Sequence, residues 1–216
     1  ACGEPELLDQ SLASIDRAIF GVVPAQYFET IATPGLTEWL SFFYYIHFFV
    51  FAITVIPSLF WGRGRRVQEL LSMILWQICI GHLIYLLVPG KGPYHALEFA
   101  GEVEGGMWWS LVKRTSDSLG PQLDIFPSLH TAYTFSVGLF CLRHRGAHPL
   151  YRLWPLFFFL SVNIIVATLY LRWHYSVDVF AGILLALLSL KLGAWVIGIS
   201  EERRQGGAQG AFEAME

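Results

Sequence analysis

The chain has 216 residues, of which 55% are hydrophobic and 14% charged, with a formal net charge of −3. Soluble domains carry about 25% charged residues. This composition, with a mean hydropathy of +0.51, therefore excludes a water-soluble enzyme, a disordered chain and a nucleic-acid binder. The apolar excess is read as the lipid-facing surface of one integral membrane protein.

Residues 1–35 are expected to form an interfacial segment. Leu8, Leu12, Ile15 and Ile19 recur at helical spacing, with Asp9, Ser11, Asp16 and Arg17 on the opposite face. That pattern predicts an amphipathic helix lying along a membrane surface, ended by Pro24 and the Pro34-Gly35 pair. Residues 36–200 form the membrane-embedded domain, and residues 201–216 a flexible tail. Five apolar runs cover residues 39–61, 70–88, 126–142, 153–171 and 179–199. A helix needs about 20 apolar residues to cross the hydrocarbon core. The expected fold is thus an all-α polytopic bundle of five spans. The third run has only 17 residues, and a buried or re-entrant helix is its alternative. Cys79 and Cys141 lie in apolar runs and read as small core residues. The in-span polar residues His47, Gln77, His82 and Asn163 read as helix–helix hydrogen-bonding groups.

Five spans put one set of loops and the C-terminus on a single face with Arg63, Arg65, Arg66, Arg143, Arg145, Arg152, Arg203 and Arg204. The other face carries Arg17, Lys91, Lys113, Arg114 and Arg172 against twelve of the seventeen acids. The positive-inside rule places the arginine-rich face and the C-terminus in the cytoplasm. The opposite face then holds the loop 89–125, which is long enough to be functional and is expected to carry an interfacial helix over 107–118.

That same face collects the reactive side chains. Pro127 and Ser128 precede His130 at the start of the third run, where a helix N-terminus offers an anion site. His174 and Asp178 stand four apart at the start of the fifth, so on a helix they share a face. Asp178 would hold one ring nitrogen of His174 protonated and leave the other as nucleophile or base. A lone histidine or a His–Asp pair can equally be a helix-capping group. Ionisable residues at a membrane edge favour a functional role, and two imidazoles, a carboxylate and nearby cations suit phosphoryl chemistry.

In these residues the chain resembles the type-2 phosphatidic acid phosphatase superfamily. Pro127-Ser128-Leu129-His130 is similar to its second motif, with Leu129 where glycine is usual, and His174 with Asp178 to the end of its third. The first motif is present only as Lys91, without the Arg-Pro that follows seven residues later, and Thr168 stands where the third motif has arginine. The stretches around His130 and His174, and Pro89-Gly90-Lys91-Gly92-Pro93, look more like the inositol phosphorylceramide synthase branch. Its six-span members imply a further span ahead of Ala1. The resemblance implies a metal-independent lipid phosphotransferase or phosphatase working through a phosphohistidine. His174 would be nucleophile, Asp178 its orienting group, His130 acid then base, and Ser128 a phosphate contact, with no metal or cofactor.

Lys91 and Arg172 are our choices to replace the missing phosphate-binding cations. Asp124, Lys113, Arg114 and Tyr175 are candidate substrate contacts. The expected partners are a membrane lipid and an acceptor, either a lipid or polyol hydroxyl or water. Two other readings stand beside this one. His130, His174, Asp124 and Asp178 could ligate a cation, although no recognised metal spacing is present. A transporter or scaffold could instead use the His–Asp pair as a proton relay.

Overall fold

The computed structural model describes residues 7–60, 64–119, 123–146 and 149–213, which are helical and contain no strand. The elements are α1 (Asp9–Phe20), α2 (Pro24–Glu29), α3 (Pro34–Phe60), α4 (Arg65–Leu87), α5 (Pro93–Ala96), α6 (Met107–Leu119), α7 (Leu129–Arg143), α8 (Trp154–Tyr170) and α9 (Ser176–Glu213), with a 3-10 turn at Pro149–Leu153 before α8. Among the described residues, four stretches are long and apolar enough to cross a membrane: Pro34–Ile56, Arg65–Leu87, Tyr151–Tyr170 and Ser176–Ser200. Their outward side chains include Ile53, Leu75, Leu83, Leu86, Val162 and Leu184, all more than half exposed. A belt of that size would drive aggregation in water and matches a hydrocarbon surround.

The third apolar run behaves differently from the other four. Ser128 is extended and caps a helix of only 15 residues, α7. It rises about 22 Å, short of the roughly 30 Å hydrocarbon thickness. It packs against α3, α4, α8 and α9, and Thr131, Thr134 and Ser136 are buried among its neighbours. A helix enclosed by protein need not match the bilayer, and its hydroxyls find partners inside the bundle. Thr134 donates to the His130 carbonyl (2.8 Å), and Ser136 to that of Tyr133 (2.9 Å).

Of the in-span polar groups, Gln77 and Asn163 do bridge helices. Gln77 Nε2 donates to Ala132 O of α7 (3.2 Å) and Ser189 Oγ of α9 (2.9 Å). Asn163 Oδ1 accepts from Trp39 Nε1 (3.0 Å). His82 bonds only to Ile78 O of its own helix. Cys141 is buried, but Cys79 is exposed on the outer face of α4, contrary to its reading as a core residue.

The helix expected near the N-terminus exists as α1, but rotated so that its acids face inward beside Leu12. It buries Asp9, Leu12, Ala13 and Asp16 and leaves Ile15 and Ile19 about half exposed. Helical spacing permits either face; the choice falls to the acids because backbone N–H groups of Lys91, Gly92, Ser176 and Val177 wait for them. The helix expected over 107–118 is present as α6. Its first turn is capped by Glu38 of α3, whose carboxylate accepts from Gly106 N (2.8 Å), Trp108 N (3.0 Å) and Trp109 N (2.9 Å).

Candidate active site

The turn from α8 to α9 is built on one carbonyl. Thr168 O accepts from both Trp173 N (2.9 Å) and His174 N (3.1 Å), which closes the end of α8. Just before them Arg172 adopts φ 67°, a left-handed conformation that disfavours any side chain. Its guanidinium holds it there. Nη1 donates to Gly101 O (2.9 Å) and Nη2 to Glu29 Oε1 (3.1 Å), and the group lies 3.8 Å over the Phe99 ring.

Past this turn the N–H groups of Tyr175, Ser176 and Val177, which open α9, are satisfied by acids. Asp178 Oδ2 accepts from Tyr175 N (2.8 Å), reaching back over one turn as a capping residue does. Asp16 of α1 accepts from Ser176 N (2.9 Å) and Val177 N (3.1 Å). Negative charge at a helix N-terminus is favoured by the peptide dipoles. Burial nevertheless raises the Asp16 pKa above the ordinary aspartate value, outweighing those two bonds.

The same Asp178 Oδ2 lies 3.4 Å from His174 Nδ1. The opposite ring nitrogen, Nε2, is 3.3 Å from His130 Nδ1. Carboxylate, imidazole and second imidazole therefore form one line of polar contacts, with Asp178 fully buried and His174 nearly so. The capping and orienting roles of Asp178, alternatives in the sequence, coexist on one oxygen. The two motifs are also tied through the backbone, because Ser128 N donates to Asp178 O (3.0 Å). Ser128 Oγ accepts from Thr131 N (3.4 Å) and Thr131 Oγ1 (3.2 Å).

Gly182 lets α9 come this close. A Cβ there would sit 2.5 Å from Ser128 O and 3.0 Å from Thr131 Cβ. Because the nearest clash is with backbone, we expect Gly182→Ala to separate α7 from α9 and cost about 1–3 kcal/mol. The loss is to be read as a lower unfolding temperature of the detergent-solubilised protein.

The loop after α4 docks on the same turn. Asp9 Oδ2 and Oδ1 accept from Lys91 N and Gly92 N, both at 2.9 Å. Gly92 has φ 79°, and a Cβ there would meet Trp173 O at 2.5 Å, so only glycine fits. Tyr94 N then donates to Arg172 O (2.7 Å).

Several candidate residues lie elsewhere than the sequence suggested. Arg172 is spent on Glu29, Gly101 and Phe99, so it braces the histidine turn and is not a free phosphate cation. Tyr175 is fully buried, and its hydroxyl donates to Asp9 Oδ1 (3.2 Å); it anchors α1 and is not placed to contact substrate. Lys113 pairs with Asp117 (3.2 Å) and lies 5.8 Å over Tyr94. The side chains of Lys91, Arg114 and Asp124 are exposed.

Two residues near the histidine pair have no counterpart among those candidates. The Tyr44 ring stacks on His130 at 5.1 Å, and the His47 ring stands 4.3 Å from it. His47 Nδ1 bonds Tyr44 O one turn back. Tyr44 also stacks on Trp173, and Trp173 on Tyr94. The sequence signal was an ionisable group inside a span, with an aromatic residue three before it on the same face.

A model of the PAP2 superfamily matches residues 10–192, and the chain belongs to that superfamily. The uncharacterized protein MJ0662 of Methanocaldococcus jannaschii is 27% identical over 157 residues, 70% of this chain. The chain spans 60% of the length of that relative. The crystal structure of Aquifex aeolicus LpxE has a similar fold, with a TM-score of 0.57 at 18% identity, covering 78% of this chain and 91% of that one.

Proposed function

We propose that the protein is a metal-independent membrane phosphatase acting on a lipid phosphate through a phosphohistidine. The observation that carries this reading is the line Asp178–His174–His130 at the end of an apolar bundle. Asp178 keeps the proton on His174 Nδ1, so Nε2 carries the lone pair. The substrate phosphate breaks the 3.3 Å contact between the two imidazoles and enters between them. Nε2 attacks it, the P–O bond to the lipid breaks, and His130 protonates the departing oxygen. His130, now neutral, takes a proton from water. That water attacks phosphorus, the P–N bond breaks, and phosphate leaves with His174 restored.

In this reading the hydroxyl proton of Ser128, not spent on either Thr131 bond, is offered to a phosphate oxygen. The first-turn N–H groups of α7 add donors. Lys91, with Lys113 and Arg114 further out, supplies the positive field. The arginine-poor face bearing the site lies outside the cytoplasm by the distribution of charge.

Transfer to an alcohol shares the first half-reaction. The likeness of the motif sequences to the inositol phosphorylceramide branch favours it as a second reading, with a polyol or lipid hydroxyl in place of water. Incubating the purified protein with a panel of phospholipids, with and without alcohol acceptors, and weighing the products by mass spectrometry separates the two. Free phosphate alone supports hydrolysis, and a new phosphodiester supports transfer. No change in any phospholipid, nor in a single-chain lipid phosphate added to the panel, would reject both.

A further inference from the structure

We infer that the hollow between α3, α4 and α7 receives the hydrocarbon segment bonded directly to the phosphate, and that the substrate is therefore a single-chain lipid phosphate. This rests on the lipid-phosphate reading above and narrows its substrate class. The hollow has a volume of about 220 Å³. At its head is His47, whose ring stands 4.3 Å from His130. Leu129, the neighbour of His130, lines it too. In-line displacement puts the departing oxygen opposite His174 across phosphorus, so the group bonded to that oxygen lies beside His130, which protonates it.

The walls choose the chemistry of that group. Ile74 and Tyr133 are buried, while Phe48 (47% exposed) and Ile78 (41%) form an outward rim. α3 packs mainly on α6 and α8, and α4 on α9; α3 and α4 themselves barely touch, which leaves the rim as an opening towards lipid. The donors of the lining are engaged, and its buried polar atom without a partner, Gln77 Oε1, can only accept. His47 Nδ1 bonds Tyr44 O. Gln77 Nε2 uses both hydrogens on Ala132 and Ser189. The Tyr133 hydroxyl bonds Thr54. Ester carbonyls next to the phosphate would lose hydration there and find no donor, whereas methylenes would not.

Leu129 to Tyr133 and Ile74 to Ile78 each span one helical turn, about 6 Å. The hollow thus takes the first few carbons, and the rest of the chain passes between Phe48 and Ile78 into the bilayer. A second apolar cavity, near 380 Å³ between α2, α8 and α9, includes none of the histidines in its lining.

The test uses the full chain in detergent with three substrates: a long-chain alkyl or prenyl monophosphate, dioleoyl phosphatidic acid and p-nitrophenyl phosphate. The single-chain monophosphate is expected to have the highest kcat/KM. Ile78→Trp, which narrows the rim, should lower that value about 10- to 100-fold relative to p-nitrophenyl phosphate. Ile74→Ala, which deepens the floor, should shift preference towards branched chains. Leu184→Trp, on the lipid-facing side of α9, should leave all ratios as they are. Equal effects of Ile78→Trp on chain-bearing and soluble substrates, or a preference for phosphatidic acid, would overturn the inference and leave the phosphatase reading standing. Failure of the wild type to hydrolyse any of the three would remove that reading, and the inference with it.

Discussion

His174→Ala should lose turnover by at least about 10⁴-fold on every substrate, the scale seen when a residue central to covalent catalysis is removed. His130→Ala should behave differently. It removes the acid that protonates the departing oxygen, a contribution of about 10²- to 10⁴-fold, but only where that oxygen needs the proton. A lipid alcohol is a poor leaving group and should show the full loss. p-Nitrophenolate leaves without help, so with that substrate His130→Ala should still phosphorylate His174. With no base to activate water, the phosphoenzyme should then accumulate. Rapid quenching at neutral or alkaline pH followed by intact-protein mass spectrometry reads it directly. Retained turnover in His174→Ala would eliminate the mechanism. Equal losses for both leaving groups in His130→Ala would reassign the acid.

The second large effect concerns Arg172 and Glu29. Arg172 is 5% exposed, and its partner Glu29 accepts from Gly101 N (2.9 Å) as well as from the guanidinium. Removing one partner of a largely buried pair leaves the other charge uncompensated, at a cost of about 3 kcal/mol. Arg172→Gln should therefore lower stability. It should also lower kcat, because the left-handed turn that aims His174 loses its brace.

Glu29→Gln should lower kcat similarly, and the double variant should lose less than the sum of the two. A phosphate-binding arginine would give a different signature, with KM rising in Arg172→Gln and little change in Glu29→Gln. The pair also has a pH signature. Burial pushes the Glu29 pKa up, but backbone bonds from Gly101 and Ala100 and the Arg172 charge outweigh it and hold the group below its ordinary value of 4.5. A lowered carboxyl pKa stabilises the fold above the unfolded value, and that contribution is lost as pH falls through the folded one. The brace should therefore persist through neutral and mildly acidic pH and fail only in stronger acid.

His174 and Asp178 were legible in the sequence because four residues is a local distance, although His174 precedes α9 and Asp178 reaches back to it from the first turn. His130 was legible because its motif opens an apolar run on the same side as theirs. His47 was read as a helix–helix hydrogen bond. Nothing local distinguishes that role from a place beside His130, 83 residues away. The acids of the N-terminal segment were read as a solvated face for a similar reason. Asp9 and Asp16 alternate with leucine and isoleucine in a pattern that water or backbone N–H groups would satisfy equally.

The sequence by itself determined that the chain is helical and lipid-facing, and that two histidines and an aspartate gather at one end. Hydropathy and helical period are short-range properties that survive without knowledge of packing. Only the tertiary structure decided where the remaining charges are spent. Asp9 meets Gly92 across 83 positions, and Glu29 meets Arg172 across 143. Which buried carboxylate satisfies which N–H group or cation depends on how distant segments pack. In a low-dielectric interior an unpaired charge is too costly to leave, so packing turned Arg172 from an expected substrate ligand into the brace of the His174 turn.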